Sequence, residues 1–259
     1  MTARSDRRLA LAFGAVLSAF FVLCSATQVA SWTIGSVDRD VHEMIPGPVK
    51  ALTVEAHSAT VALVPSSNEQ VVIDGHASGT LHTPKLQIRP SGSHVRVDGG
   101  CPNITIGHCE ADIIVAVPAG TAVSVESGSG DISAEGVTGN VQLETASGDV
   151  SASNLRGADV RLESHSGDVS AGDLRVQTVV ATTASGDVTM QLASVPQTVE
   201  AETSSGDVVV LVPPGNEEYS VDAETNSGDR MIGVATSSRS PRTVKARTSS
   251  GDVAVDYGP

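Results

Sequence analysis

The stretch Val179-Val180-Ala181-Thr182-Thr183-Ala184-Ser185-Gly186-Asp187-Val188-Thr189-Met190 decides the fold, because variants of it recur down the second half of the chain. Its Ser-Gly-Asp core begins at Ser129, Ser147, Ser166, Ser185, Ser205, Ser227 and Ser250, so the Asp residues step by 18, 19, 19, 20, 22 and 23. A period of about 20 residues marks a solenoid in which each repeat is one coil. Inside the repeat the apolar period is two, not 3.6. Val179 and Ala181 precede the tripeptide and Val188 and Met190 follow it, and the same columns recur as Val160 and Leu162, Val199 and Ala201, and Val244 and Ala246. Such alternation marks strands with one buried face. The phase slips by one residue across Gly-Asp, which would turn the buried face outward unless the chain bends there. Ser-Gly-Asp is therefore a corner. Glycine at Gly130, Gly148, Gly167, Gly186, Gly206, Gly228 and Gly251 supplies the positive φ of a tight corner, and the Asp accepts hydrogen bonds from nearby amides. A Ser or Thr stands two residues before each corner.

The expected fold is all-β: a parallel β-solenoid (β-helix) of two-strand coils of about 20 residues, preceded by one N-terminal transmembrane helix. A second corner in each coil absorbs the variation in repeat length, as at 135–139, 154–157, 212–216 and 237–242. Aromatic residues make up only 2% of the chain. A core of Val, Ala, Ile and Leu suits a thin solenoid, where stacking buries what a single coil cannot.

Residues 1–8 read as a basic cytoplasmic tail carrying Arg4, Arg7 and Arg8, and residues 9–32 as a transmembrane signal anchor ending at Trp32. About 20 apolar residues cross a bilayer, and arginines before the span with Asp38, Asp40 and Glu43 after it place the N-terminus inside. Cleavage of a signal peptide after Ala26 is the competing reading. Either way the remainder is exported, and the expected location is the cell membrane, single-pass, with the C-terminal domain extracytoplasmic. Residues 33–48 read as a polar stalk and 49–259 as the solenoid, with irregular opening coils over 49–120 and regular coils over 121–259. In the opening part, Ser58-Ala59-Thr60 stands where later coils carry the corner, 71–73, 86–88, 95–97 and 113–117 are strand candidates, and Ser91-Gly92-Ser93 reads as another corner.

Cys101 and Cys109 are an even pair in an exported domain and read as a disulfide. A metal site from Cys101, His108 and Cys109 would lack a fourth ligand close in sequence. The elbow, P-loop and zinc-protease motifs are absent. Ser164-His165-Ser166-Gly167-Asp168 brings three triad residue types together, but neighbours on a strand point to opposite faces. No catalytic residue and no cofactor is expected. The chain carries −14, and residues 1–32 hold three Arg and one Asp, a net +2, which leaves −16 on residues 33–259. That field repels nucleic acid and anionic headgroups.

In-register coils stack Asp131, Asp149, Asp168, Asp187, Asp207, Asp229 and Asp252 at about 4.8 Å, the strand spacing. One explanation is calcium. But calcium takes 6–8 oxygens, and each corner offers one carboxylate, one hydroxyl and backbone carbonyls. The other explanation, preferred here, is that each carboxylate accepts amides of its own corner and faces water, with no tightly bound metal. Arg230 stands where other coils bury Val, so the sixth coil is expected to be distorted.

A membrane anchor, a strand closing in Val117-Pro118-Ala119-Gly120, then serial Val-x-x-x-[Ser/Thr]-x-Ser-Gly-Asp-Val units resembles the bacterial family named "putative adhesin", a β-solenoid domain of otherwise unknown function. Gly47-Pro-Val-Lys-Ala-Leu-Thr-Val54, and Cys101 to Cys109 followed by Glu110 and Ala111-Asp-Ile113, are similar to its membrane-anchored actinobacterial members. The resemblance covers 47–259 and implies a surface role without catalytic residues. Three functions follow as expectations. The first is a non-enzymatic, membrane-anchored adhesion, binding or envelope-scaffold module, attached through the N-terminal helix and facing an unknown protein or envelope partner. The second is a calcium-dependent solenoid using the Asp column, and the third a carbohydrate-active β-helix enzyme. The sequence does not decide the oligomeric state.

Overall fold

The computed structural model describes residues 37–79, 85–101 and 109–259, which form twenty strands. The expected anchor at 9–32 lies outside the described residues; among these, no helix is long and apolar enough to cross a membrane. The fold is all-β and solenoid-like. One sheet contains β2 (Ala51–Ala56), β5 (Lys85–Ser91), β6 (His94–Gly100), β8 (Ala122–Ser127), β10 (Val141–Thr145), β12 (Arg156–Ser164), β15 (Thr198–Glu202), β17 (Ser220–Thr225) and β19 (Thr243–Thr248). The facing sheet contains β1 (Val37–Ile45), β3 (Thr60–Pro65), β4 (Val71–Gly79), β7 (Cys109–Val117), β9 (Ile132–Glu135), β11 (Val150–Ser153), β14 (Val188–Leu192), β16 (Val208–Val212), β18 (Arg230–Ile232) and β20 (Val253–Tyr257). β13 (Val169–Thr183) rounds the second corner without a break and pairs in both sheets.

The columns read from the sequence are columns in space. Val123, Val141, Val160, Val179 and Val199 are consecutive register partners, as are Ile132, Val150, Val169, Val188 and Val208 on the other side. All of them are buried, with Leu143, Leu162 and Met190 filling the wider middle of the core. Val and Ala suffice because each inward side chain is covered by the coil above, the coil below and the facing sheet.

Four features differ from the sequence reading. Val37–Ile45, assigned to the stalk, is a strand: β1 pairs antiparallel with β4 over nine residues. Its charged side chains made it look like linker, but an edge strand with one solvated face is expected to carry charges. The opening layers are not purely parallel either, since β4 pairs antiparallel with β7, and β5 with β6. Ser91-Gly92-Ser93 is accordingly a hairpin reversal, with Gly92 at φ +61°, and not a solenoid corner. The pair β4 and β5 closes the first end of the core: Leu86 of β5 lies over Gly75 and Gly99, where a Cβ would stand 2.7 and 2.6 Å from its methyl carbons.

The fourth difference is the order of the layers. At the N-terminal end β2 lies between β8 and β6, and β3 between β9 and β7. At the C-terminal end β19 lies between β15 and β17, and β20 between β16 and β18. The last coil of the chain is thus the next-to-last layer of the stack, and the coil of β17 and β18 forms the end. Arg230 belongs to that end layer. It keeps its register opposite Val253 and is exposed because no further layer covers it. Its Nη1 donates to the Ala223 carbonyl at 3.2 Å, reaching across from one sheet to the other over the end of the core. An inward charge on a terminal layer also discourages further strands from adding. The coil is therefore not distorted at Arg230; it is the last one.

Candidate functional site

Each Ser-Gly-Asp corner is bound to the corner above it by three contacts. The Ser or Thr two residues before the tripeptide is buried or nearly so, and its hydroxyl donates to the Gly carbonyl of the preceding layer. Thr145 donates to Gly130 at 3.0 Å, Ser164 to Gly148 at 2.8 Å, Thr183 to Gly167 at 2.8 Å, and Thr203 to Gly186 at 2.9 Å. Thr248 then donates to Gly206 at 2.9 Å, and Thr225 to Gly251 at 2.8 Å. The glycine lets the layers approach closely. A Cβ on Gly167 would stand 2.1 Å from the Gly148 carbonyl oxygen, and one on Gly148 would stand 2.3 Å from that of Gly130. Positive φ is the reason for glycine only in the later copies, such as Gly186 at +148° and Gly206 at +143°; at Gly130, Gly148 and Gly167 the reason is contact distance. Ser58-Ala59-Thr60 takes the corner position in the first coil, and Ser127 Oγ donates to the Ala59 carbonyl at 3.3 Å.

The third contact accounts for the Asp column. Asp149 N–H donates to Oδ1 of Asp131 at 2.9 Å, Asp168 N–H to Asp149 at 2.9 Å, Asp187 N–H to Asp168 at 2.9 Å and Asp207 N–H to Asp187 at 2.8 Å. The ladder continues through the out-of-order layers, from Asp252 N–H to Asp207 at 2.8 Å and from Asp229 N–H to Asp252 at 2.7 Å. Six of the seven carboxylates, all but that of Asp229 in the end layer, thus accept an amide of the neighbouring coil, not of their own corner as the sequence suggested. A hydrogen bond to a charged acceptor contributes about 1.5–3 kcal/mol, whereas two exposed charges at this spacing repel by about 1 kcal/mol in water. The ladder outweighs the repulsion because every aspartate is exposed and screened by solvent. Asp187→Ala is accordingly expected to cost about 1–2 kcal/mol, while Asp187→Asn keeps an oxygen acceptor and stays within about 0.5 kcal/mol of the parent. Thermal unfolding of the two variants checks this.

The triad residue types are engaged separately. Ser164 Oγ is committed to the Gly148 carbonyl, His165 is exposed, and Asp168 accepts the Asp187 amide. Cys101 and Cys109 form a disulfide with Cα atoms 6.0 Å apart, joining the end of β6 to the start of β7.

Two surface features escaped the sequence reading. On β1 and β4, His42 pairs with Asp74 and Asp40 with His76, as crossed cross-strand pairs. The hydrogen bond that His76 Nδ1 donates to the Asp40 carboxylate holds His76 above the ordinary imidazole pKa. That pairing is complete below the ordinary value and is lost as pH rises through the raised one. Asp40→Asn should therefore lower the His76 midpoint in an NMR titration. The second feature is an acidic column on the outer face of the first sheet: Glu55, Glu126, Glu144 and Glu163 are consecutive partners. Further along, Lys245 of β19 pairs with Glu200 and Glu202 of β15, and Arg247 of β19 with Asp222 and Glu224 of β17. These carboxylates raise both cations' pKa values. Spacing within the repeat would have shown the Glu column, but the Lys and Arg pairings depend on a layer order that no local pattern encodes.

A model of the family Toastrack DUF4097 matches residues 49–191 and again 121–256, two overlapping spans that together cover the solenoid. The chain belongs to this family. Among solved structures, this Toastrack chain is similar to a "putative adhesin" from Bacteroides fragilis, with 14% identity over 85% of this chain and 97% of that one, at a TM-score of 0.51. It also matches a "putative cell adhesion protein" from Clostridium sporogenes, with 9% identity over 86% and 100% of the two chains, at a TM-score of 0.44. At such identities the likeness concerns the fold alone. No curated protein matches the chain.

Proposed function

We propose that this Toastrack chain is a non-enzymatic, adhesin-type surface module: a stiff β stack, exported and held to the membrane by residues 9–32, that binds an envelope or cell-surface partner through its outer faces. The observation that carries the reading is the corner ladder. The Ser/Thr, Gly and Asp of the repeats, its most chemistry-bearing residues, are engaged in contacts between layers. Recognition is then left to the outward side chains of two broad sheets. The Cys101–Cys109 disulfide supports an oxidising compartment, and the family resemblance to proteins described as adhesins agrees in kind.

The test is display of the full chain on a non-adherent bacterial cell, followed by retention on envelope material or host-cell layers. Retention above that of cells displaying an unfolded variant is expected, and equal retention would refute the adhesin reading. Intact mass of the membrane-extracted protein decides the anchor: a mature start near Thr27 would remove it. We further infer that the Asp column is structural and does not depend on calcium. A rise of several degrees in the unfolding midpoint with millimolar calcium, but not with sodium at matched ionic strength, would overturn that.

A further inference from the structure

The last coil is inserted between two layers that would otherwise be neighbours, and its charges fit that place. Glu200 and Glu202 of β15 lie on one side of β19, and Asp222 and Glu224 of β17 on the other. Without β19 these four carboxylates would face one another across adjacent strands, an arrangement that opposes pairing. β19 supplies Lys245 opposite Glu200 and Asp222, and Arg247 opposite Glu202 and Glu224. Lys245 Nζ lies 2.7 Å from Glu200 Oε1. The corner ladder makes the fit two-sided: Asp252 N–H donates to Asp207, Asp252 Oδ1 receives the Asp229 amide, and Thr248 and Thr225 hydroxyls bond the Gly206 and Gly251 carbonyls. The slot between the layers of β15/β16 and β17/β18 is therefore shaped and charged for a basic strand with the spacing Lys-x-Arg.

The coil that fills it has one covalent connection to the rest of the stack. Residues 233–242 lead into it from β18. The stretch 235–242 is mostly exposed; Ser237 N–H donates to the Tyr219 carbonyl, Ser240 Oγ to the Glu218 carbonyl, Arg242 lies 3.0 Å from Glu217, and Ala235 N–H donates to the Tyr257 hydroxyl of the inserted coil at 3.0 Å. This connection must step back past its own coil to reach the slot, which explains its length.

We propose that the slot is also a receptor for the last coil of a second copy, so that two chains exchange residues 243–259 and form a reciprocal dimer. The contacts of the inserted coil with β15, β16, β17 and β18 are the same in the closed monomer and in the exchanged pair. Only the connection and its bond from Ala235 to Tyr257 differ, so its length and the protein concentration set the balance. Other basic strands are excluded by the corner, since an occupant must also present a Gly-Asp turn to Gly206 and Gly228.

The test uses two full-length chains, both carrying Cys24→Ser, one with Thr198→Cys and the other with Thr243→Cys. Positions 198 and 243 are register partners across β15 and β19. The chains are unfolded together in urea with the native disulfide kept, refolded at high concentration and treated with a short thiol-to-thiol cross-linker. The expected product joins position 198 of one chain to position 243 of the other, identified by the mass of the linked peptides. Deleting residues 237–240 should raise its yield severalfold, because the shortened connection no longer reaches the slot of its own chain. Lys245→Glu with Arg247→Glu on the donor should abolish it. A chain carrying both cysteine substitutions must link within itself, which shows that the chemistry works. If that control links and the mixed chains do not, with or without the deletion, the exchange is disproved.

Discussion

Gly206→Ala is expected to lower the unfolding midpoint by roughly 10 °C, a large loss for a conservative change. Two independent costs meet at this residue. Its φ of +143° lies where side chains are strained, which costs about 1–3 kcal/mol. A methyl group would also stand 2.1 Å from the Gly186 carbonyl oxygen, and backbone cannot move aside as a side chain can. Overpacking of this kind costs about 1–3 kcal/mol, and more when the obstacle is rigid. A combined loss of about 4 kcal/mol, at 2–4 °C per kcal/mol for a domain of this size, gives the stated shift. Gly172→Ala is the control. Nothing lies within 4 Å of a Cβ there, so that variant should melt within about 2 °C of the parent. Equal losses in both variants would show that the corner column does not set the stability of the stack.

The second large effect is expected from ending the chain at Arg242. In an ordinary solenoid, removing the last repeat exposes one interface. Here it removes a layer from the interior, and both the β15–β19 and β19–β17 interfaces go with it. The remaining end coil cannot simply close the gap, because Glu200 and Glu202 would face Asp222 and Glu224. Hydrogen exchange should show lost protection throughout 217–235 and partial loss in β15 and β16, while β8 to β12 keep theirs. Asp222→Lys with Glu224→Lys in the truncated chain should restore part of the protection in 217–235 by letting β17 dock on β15. A truncated chain that keeps its end coil protected without those changes would disprove the charge argument.

The regular coils were legible because period, phase slip and corner repeat together. Val179, Ala181, Val188 and Met190 were assigned inward from alternation alone, and all four are buried. The strand candidates at 71–73, 86–88, 95–97 and 113–117 fall within β4, β5, β6 and β7. Two kinds of information were hidden. Pairing partners far apart in the chain leave no local trace: β1 finds β4, and β19 separates β15 from β17, through contacts that only the assembled stack creates. The direction of a hydrogen bond was equally hidden, since a corner aspartate suits its own turn amides as well as the next coil's. Arg230 was read as a misfit because chain order was taken for stack order; in the true order it marks the end.

That inverted order has a consequence for how the chain reaches its native state. Between β8 and β16, each strand finds its partner about 20 residues away, so the middle can zip up locally as it emerges. The ends cannot. β2 finds β6 and β8 about 43 and 71 residues downstream, and β19 must reach back about 45 residues to β15 before β17 has a docked partner. Loops of that length close slowly relative to local pairing. Pulse-labelled exchange during refolding should find the amides of β10 to β14 protected first and those of β2, β17 and β19 last, with β17 and β19 gaining protection together. The coil of residues 243–259 is then a latch, and the far end of the stack stays open until that coil has docked.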